Sequence, residues 1–131
     1  MNFKTGEELL ALCEAEHMTI TEVMKFREKV LFPQEDQEQE MLRRWAIMRT
    51  AAASSITEDR QTMGGLIGGE AKKLNQNRLI GGGVCGDLLS KALMYSVGVL
   101  EVNASMGLIV AAPTAGSSGV LPGVLLALQE E

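Results

Sequence analysis

The residues best suited to chemistry lie together near the end of the chain, in Pro113-Thr-Ala-Gly-Ser-Ser-Gly119. The stretch combines the hydroxyls of Thr114, Ser117 and Ser118 with two glycines and carries no charged side chain. A helix is expected to begin just beyond it, and the first turn of a helix leaves N–H groups unpaired at the positive end of its dipole. Free N–H groups, hydroxyls and a helix start can together hold a carboxylate or a phosphate. An ordinary helix-capping turn uses the same residue types, so both readings fit. No lysine stands where a Walker loop needs one, and Gly64-Gly-Leu-Ile-Gly-Gly69 lacks both GxGxxG spacing and a preceding strand. Nucleotide binding through either motif is therefore disfavoured.

Other candidates are weaker. Asn103 sits among small apolar residues near an expected helix end, where it can bind a ligand or cap a neighbouring turn. Lys72 and Lys73 can neutralise an anion or, if desolvated, act as a base, although lysines in such a setting are ordinarily exposed. His17 follows a helix end, where an imidazolium complements the dipole in a structural role. Cys13 and Cys85 are too far apart in sequence for a compact metal-ligand set and read as small buried hydrophobes. The acidic run at residues 34–40 reads as a solvated helix start rather than a metal site.

The elements that must position these residues are helices. Thr5-Gly-Glu-Glu8 and Thr19-Ile-Thr-Glu22 have the form of capping boxes, predicting a first helix to about His17 and a second stopped before Pro33. A third, longer helix should follow with Met41, Leu42, Trp45, Met48 and Ala52 inward. Its periodicity fails after Thr57. Residues 70–78 hold one helical turn or two between glycine clusters. Asp87 should cap a helix reaching about Ala104, with Leu89, Leu93, Val97 and Leu100 inward, and Pro122 should stand near the first turn of a last helix. Residues 108–112 read as a buried strand-like or extended segment before the 113–119 turn. The expected fold is mainly α: a single helical domain over residues 1–131 with two glycine-rich loops.

Composition narrows the function classes. A formal charge of −5, no basic patch and only 4% aromatic residues argue against nucleic-acid binding. Residues 102–129 carry no charge, yet Gly107, Pro113, Gly116, Gly119, Pro122 and Gly123 interrupt the run, so a membrane span is not expected. The N-terminus lacks a basic and apolar leader pattern, which points to the cytoplasm.

Three stretches carry a resemblance: Gly64-Gly-Leu-Ile-Gly-Gly-Glu-Ala-Lys-Lys-Leu74, Glu101-Val-Asn-Ala-Ser-Met-Gly107 and Ile109-Val-Ala-Ala-Pro-Thr-Ala-Gly-Ser-Ser-Gly-Val-Leu-Pro-Gly123. With Ile20-Thr-Glu-Val-Met24 and Trp45, they resemble the alpha subunit of bacterial iron–sulfur L-serine dehydratase. The resemblance implies a lyase that converts L-serine to pyruvate and ammonia, with a 4Fe–4S cluster as Lewis acid and a separate beta subunit as partner. It further implies that Asn103, Thr114, Ala115, Gly116 and Ser117 hold substrate, and it leaves the proton-abstracting base unassigned. Ser118 stands where the family pattern has a cluster-ligand cysteine, and a hydroxyl is a poorer cluster ligand than a thiolate. The family also continues beyond residue 131 into further ligand cysteines, so these residues alone are expected not to hold the cluster. The contrasting reading is a non-catalytic helical module, or a truncated remnant, that binds a small carboxylate or a partner subunit.

Overall fold

The computed structural model describes residues 2–81 and 83–131. Six helices and no strand occur among them: α1 Gly6–Glu16, α2 Ile20–Leu31, α3 Gln37–Thr57, α4 Glu70–Leu79, α5 Asp87–Ala104 and α6 Ser117–Gln129. This is the mainly α class that the periodicity predicts. No described helix is long and apolar enough to cross a membrane. The chain divides into two compact units, Met1–Arg43 and Arg44–Glu131.

In the first unit, local sequence sets the helices. The Thr5 hydroxyl accepts from the Glu8 N–H at 3.2 Å, but Glu8 Oε2 accepts from the Lys4 N–H at 2.6 Å rather than from Thr5. The first capping box is thus only half formed. The second is complete, because Glu22 Oε2 accepts from the Thr19 N–H at 2.8 Å while the Thr19 hydroxyl accepts from the Glu22 N–H. The Thr19 N–H, followed by its hydroxyl, holds the Glu22 carboxyl below the usual carboxylate range. α1 closes on His17, whose left-handed φ of 53° lets its N–H reach the Cys13 and Glu14 carbonyls. Val23 of α2 is fully buried. Asp36 opens α3 by accepting from the Gln39 N–H at 3.1 Å.

The second unit is built around α5, which packs against both α4 and α6. Its core joins Ala51 and Ala52 of α3 to Val99 and Val102 of α5 and Leu126 of α6, with Trp45, Tyr95 and Ile109 against it. Glycines at the contact points let the helices approach closely. A Cβ placed on Gly98 would lie 2.0 Å from Ser55 Oγ, and one on Gly119 would lie 2.7 Å from the Ser96 carbonyl oxygen. On Gly123 it would meet the Ser96 nitrogen at 2.7 Å and the Ala92 oxygen at 2.8 Å. Gly119 therefore lies against Ser96 and Leu100, and Gly123 against Ala92 and Ser96, so α5 and α6 run antiparallel.

This close seam overturns several expectations. On α5 the buried residues are Ala92, Met94, Gly98, Val99, Glu101 and Val102. Leu89, Leu93 and Leu100 are exposed, Leu89 by 49%, and Val97 is half-buried. Where Gly119 and Gly123 meet Ser96 and Ala92 the backbones leave no room for a large side chain, and Leu89, Leu93 and Leu100 keep much of their surface outside the contact. Met41 and Leu42 are likewise exposed, while Ala52 is buried and Trp45 and Met48 are half-buried. α4 is longer than one or two turns. Asp87 does not cap α5, since the cap position is Gly86; its carboxylate pairs instead with Arg78 at 2.8 Å and Lys91 at 3.4 Å. α6 starts at Ser117, which puts Pro122 inside the helix, where its ring removes the N–H that would have bonded the Ser118 carbonyl. Residues 108–112 form no strand and are not fully buried: Leu108 is exposed, while Ile109 packs on the core. Cys85 is exposed and Cys13 half-buried, so neither is a fully buried hydrophobe.

At the far end of the α5–α6 pair, the Tyr95 hydroxyl donates to Glu130 Oε1 at 2.6 Å. Burial, and then this bond, push the Tyr95 hydroxyl up to about 12. A raised value means that the bond's stabilisation is present below the unfolded tyrosine value of about 10 and is lost as pH rises through about 12.

Two outcomes follow from this packing. Gly123→Ala should lower stability by about 1–3 kcal/mol or more, because its Cβ meets backbone that cannot move aside. Gly6→Ala, with nothing within 4 Å of the new Cβ, should be neutral or slightly stabilising; denaturant melts of the two variants compare them directly. The chain has a single tyrosine, so its tyrosinate absorbance titrates Tyr95 alone. The midpoint should fall near 12, and Glu130→Gln should lower it only part of the way, since burial is the larger cause.

Candidate functional site

The 113–119 turn is reached from the end of α5 through residues 105–112. α5 closes with Met106 in the left-handed region at φ 61°, the Met106 N–H on the Asn103 carbonyl and the Gly107 N–H on the Val102 carbonyl at 2.8 Å. This paired closure satisfies the last carbonyls of the helix and reverses the chain. A side chain at residue 107 would collide with Val102, its Cβ coming within 2.6 Å of Val102 Cγ1, so glycine is required there. The antiparallel seam then brings the start of α6 alongside the last turns of α5. Asn103 and the 113–119 turn are thereby gathered at one end of the second unit, with Asn103 exposed.

Within the turn, Thr114 and Ser117 cap each other. The Thr114 N–H donates to Ser117 Oγ at 3.0 Å, and the Ser117 N–H donates to Thr114 Oγ1 at 3.3 Å. Ser117 Oγ also donates to the Thr114 carbonyl at 2.7 Å. These hydroxyls hold the turn in shape and are occupied in doing so. Gly116 accepts from the Gly119 and Val120 N–H groups. Among the described residues, the N–H groups of Ala115 and Gly116 have no hydrogen-bond acceptor. The first turn of α6 also lacks an acidic side chain, whereas α4 and α5 begin with Glu70 and Asp87. Of these three helix starts, α6 alone leaves its positive end without a carboxylate of its own.

Ser118 is buried and turns its hydroxyl back to the Ala115 carbonyl at 2.9 Å. Among the described residues, no three His, Cys, Asp or Glu side chains come together to hold a metal ion. Cys13 belongs to α1 in the first unit, and Cys85 precedes α5 at the end opposite the turn. An iron–sulfur cluster takes thiolate donors, and the donor set at this turn does not fit one. A shallow depression lined by Leu74, Arg78, Val84, Cys85, Ser90 and Leu93 also lies at that opposite end.

The structure also buries an acid that the sequence reading did not single out. Glu101, only 1% exposed, accepts from the Ala71 N–H at the start of α4 through Oε1 at 3.0 Å. Its signal was present as a lone acid inside an apolar helical run. Glu70 Oε2 accepts from the Gly68 N–H, and the Met63 N–H reaches the Ala104 carbonyl at 3.1 Å. The glycine-rich loop 58–69 is thus tied to the same end of α5. Gly68, at φ 143°, would place a Cβ 2.9 Å from the Arg60 carbonyl oxygen, so only glycine fits. Lys72 is paired with Asp59 at 2.8 Å, and Lys73 is exposed.

Residues 6–131 match the family described as serine dehydratase alpha chain. The chain is 42% identical over 85 residues to the L-serine dehydratase alpha chain of Peptoniphilus asaccharolyticus, covering 65% of this chain and 29% of that protein. It is 35% identical over 131 residues to the probable L-serine dehydratase alpha chain of Bacillus subtilis, covering 98% of this chain and 43% of that protein. It is 30% identical over 132 residues to the L-serine dehydratase of Streptomyces coelicolor, covering 94% and 27%. The chain therefore spans less than half the length of each of these relatives. No solved structure matches it. With the family pattern running across both units and through the turn at the start of α6, the chain belongs to the serine dehydratase alpha chain family.

Proposed function

We propose that this chain serves as the part of an L-serine dehydratase alpha chain that receives the substrate's carboxylate, within an enzyme that converts L-serine to pyruvate and ammonia. The observation that carries this reading is the acid-free start of α6, where the Ala115 and Gly116 N–H groups lack acceptors inside a family-matching segment. A carboxylate seated there gains from N–H donors and from the helix dipole together. Exposed Asn103, on the neighbouring end of α5, can hydrogen-bond the substrate's other polar groups. Thr114 and Ser117 act through the backbone shape they impose, since their hydroxyls already bond each other.

The donor set described here does not fit a 4Fe–4S cluster. Its ligands are proposed to come from the further length found in the relatives, and a beta subunit is the proposed partner. The proton-abstracting base is not among the residues assigned here.

Gly116 provides the test. Its φ of −75° matches proline, so Gly116→Pro removes one N–H with little change at that residue, while an alanine Cβ meets nothing within 4 Å. In the assembled enzyme, assayed by pyruvate formation, Gly116→Pro should raise KM for L-serine about tenfold or more, the worth of one hydrogen bond to a charged group. Gly116→Ala should leave KM near its original value. Equal KM for both variants would remove the start of α6 from the substrate site. Carboxylate binding without turnover by the complete assembly would favour a non-catalytic module instead.

A further inference from the structure

We propose that the outer face of α6 is the docking surface for the further length of the alpha chain that the relatives carry, and that this length covers α6. Toward α5 and the core, α6 buries Ser118, Gly119, Pro122, Gly123, Leu126 and Ala127. The residues between them, Val120, Leu121, Val124, Leu125 and Leu128, fall on the opposite helical face and are 40–57% exposed. Neither face carries a charge, because no charged side chain occurs between Ser117 and Gln129. A helix that meets water along one side ordinarily turns charges toward it. α3 does so with exposed Arg43 and Arg44, and α4 with exposed Lys73. A helix that is hydrophobic all round belongs in an interior.

Two other occupants fit the face poorly. No described helix is long and apolar enough to cross a membrane, and α6 has no charged side with which to lie on a bilayer surface. A stable dimer buries about 800 Å2 on each partner. The stripe on α6 is five half-exposed side chains on a 13-residue helix, a length of about 20 Å, and falls well short of that.

The alpha chain's own further length fits better. This chain covers 43% of the Bacillus subtilis alpha chain and 29% of the Peptoniphilus asaccharolyticus one, so more than half of each relative lies outside the matched region. Such a segment is tethered to α6 and acts at high effective concentration. It covers the stripe as the chain folds, which keeps the stripe from persisting as an aggregation-prone patch. A charge-free contact suits a permanent neighbour of this kind, since obligate interfaces resemble a domain core divided in two. The stripe starts at Val120, three residues into α6, so the docked length comes beside the 113–119 turn. The docking requires only the family relationship and holds whether or not the start of α6 receives a carboxylate.

The experiment compares this chain alone with a single polypeptide that joins it to the part of the Bacillus subtilis alpha chain outside the match. In both, Leu125→Cys is labelled with a maleimide, and the modified peptide is identified by mass spectrometry. Residue 125 should react readily in the chain alone and about tenfold or more slowly in the joined protein, where labelling must wait for local opening. Equal rates in the two would overturn the proposal. So would protection that grows with the concentration of the chain alone, which assigns the face to a second copy. Protection that appears in the joined protein only after a beta subunit is added would overturn it as well.

Should the cysteine variant fail to fold, Val124→Lys decides. The urea midpoint of the chain alone should stay near its original value, because residue 124 already meets solvent. That of the joined protein should drop clearly, because it must bury an unpaired charge. An equal shift in both proteins refutes the docked face. These readouts report coverage of α6 and the Gly116→Pro comparison reports substrate affinity, so the two readings fail separately.

Discussion

The second unit depends on how closely α5 and α6 approach, and that distance is set by missing side chains. Gly119 and Gly123 lie against the backbone of Ala92 and Ser96, where even a methyl group would collide. Removing Cβ atoms brings the helices together and lets many weak dispersion contacts add up. α5 then serves as the common support. α3 reaches it through the Ser55–Gly98 contact, α4 through the Glu101–Ala71 bond, and the 113–119 turn by continuing into α6. Any side chain that widened the seam would displace the turn relative to Asn103.

Electrostatics at the helix starts complements that scaffold. α4 and α5 have acids in their first turns, which neutralise the positive dipole end with the protein's own charge. α6 is built differently. Two hydroxyl residues shape its start and no acid fills it, so N–H donors face outward without an internal counter-charge. Such a start is suited to a small anionic ligand, and an amino-acid carboxylate is the one proposed.

Legibility from sequence followed the range of the interactions. The boundaries of α1 and α2 were readable because their capping residues act within three positions, as Thr19 and Glu22 do. The end of α3 at Thr57 and the extent of α5 were readable from apolar periodicity, although Asp87 is not the cap of α5. The buried face of α5 was not. Hydropathy favours Leu89, Leu93 and Leu100, yet close contacts with α3 and α6 bury Ala92, Gly98 and Val99 instead. Pro122 was misplaced because small-residue packing holds a helix around a proline that local preference would put at its start. The turn at residues 113–119 was readable as the approach to a helix, but the use of its hydroxyls in mutual capping could not be read from composition. Glu101 escaped notice because its partner, the start of α4, lies 30 residues earlier in the chain.

The central claim is that the start of α6 holds the substrate's carboxylate, and backbone amide chemical shifts during titration with L-serine test it most directly. The account predicts that the Ala115 and Gly116 amides shift together and saturate, and that an amino alcohol lacking the carboxylate leaves them unmoved. Saturating shifts confined to other segments, or equal responses to both compounds, would contradict it.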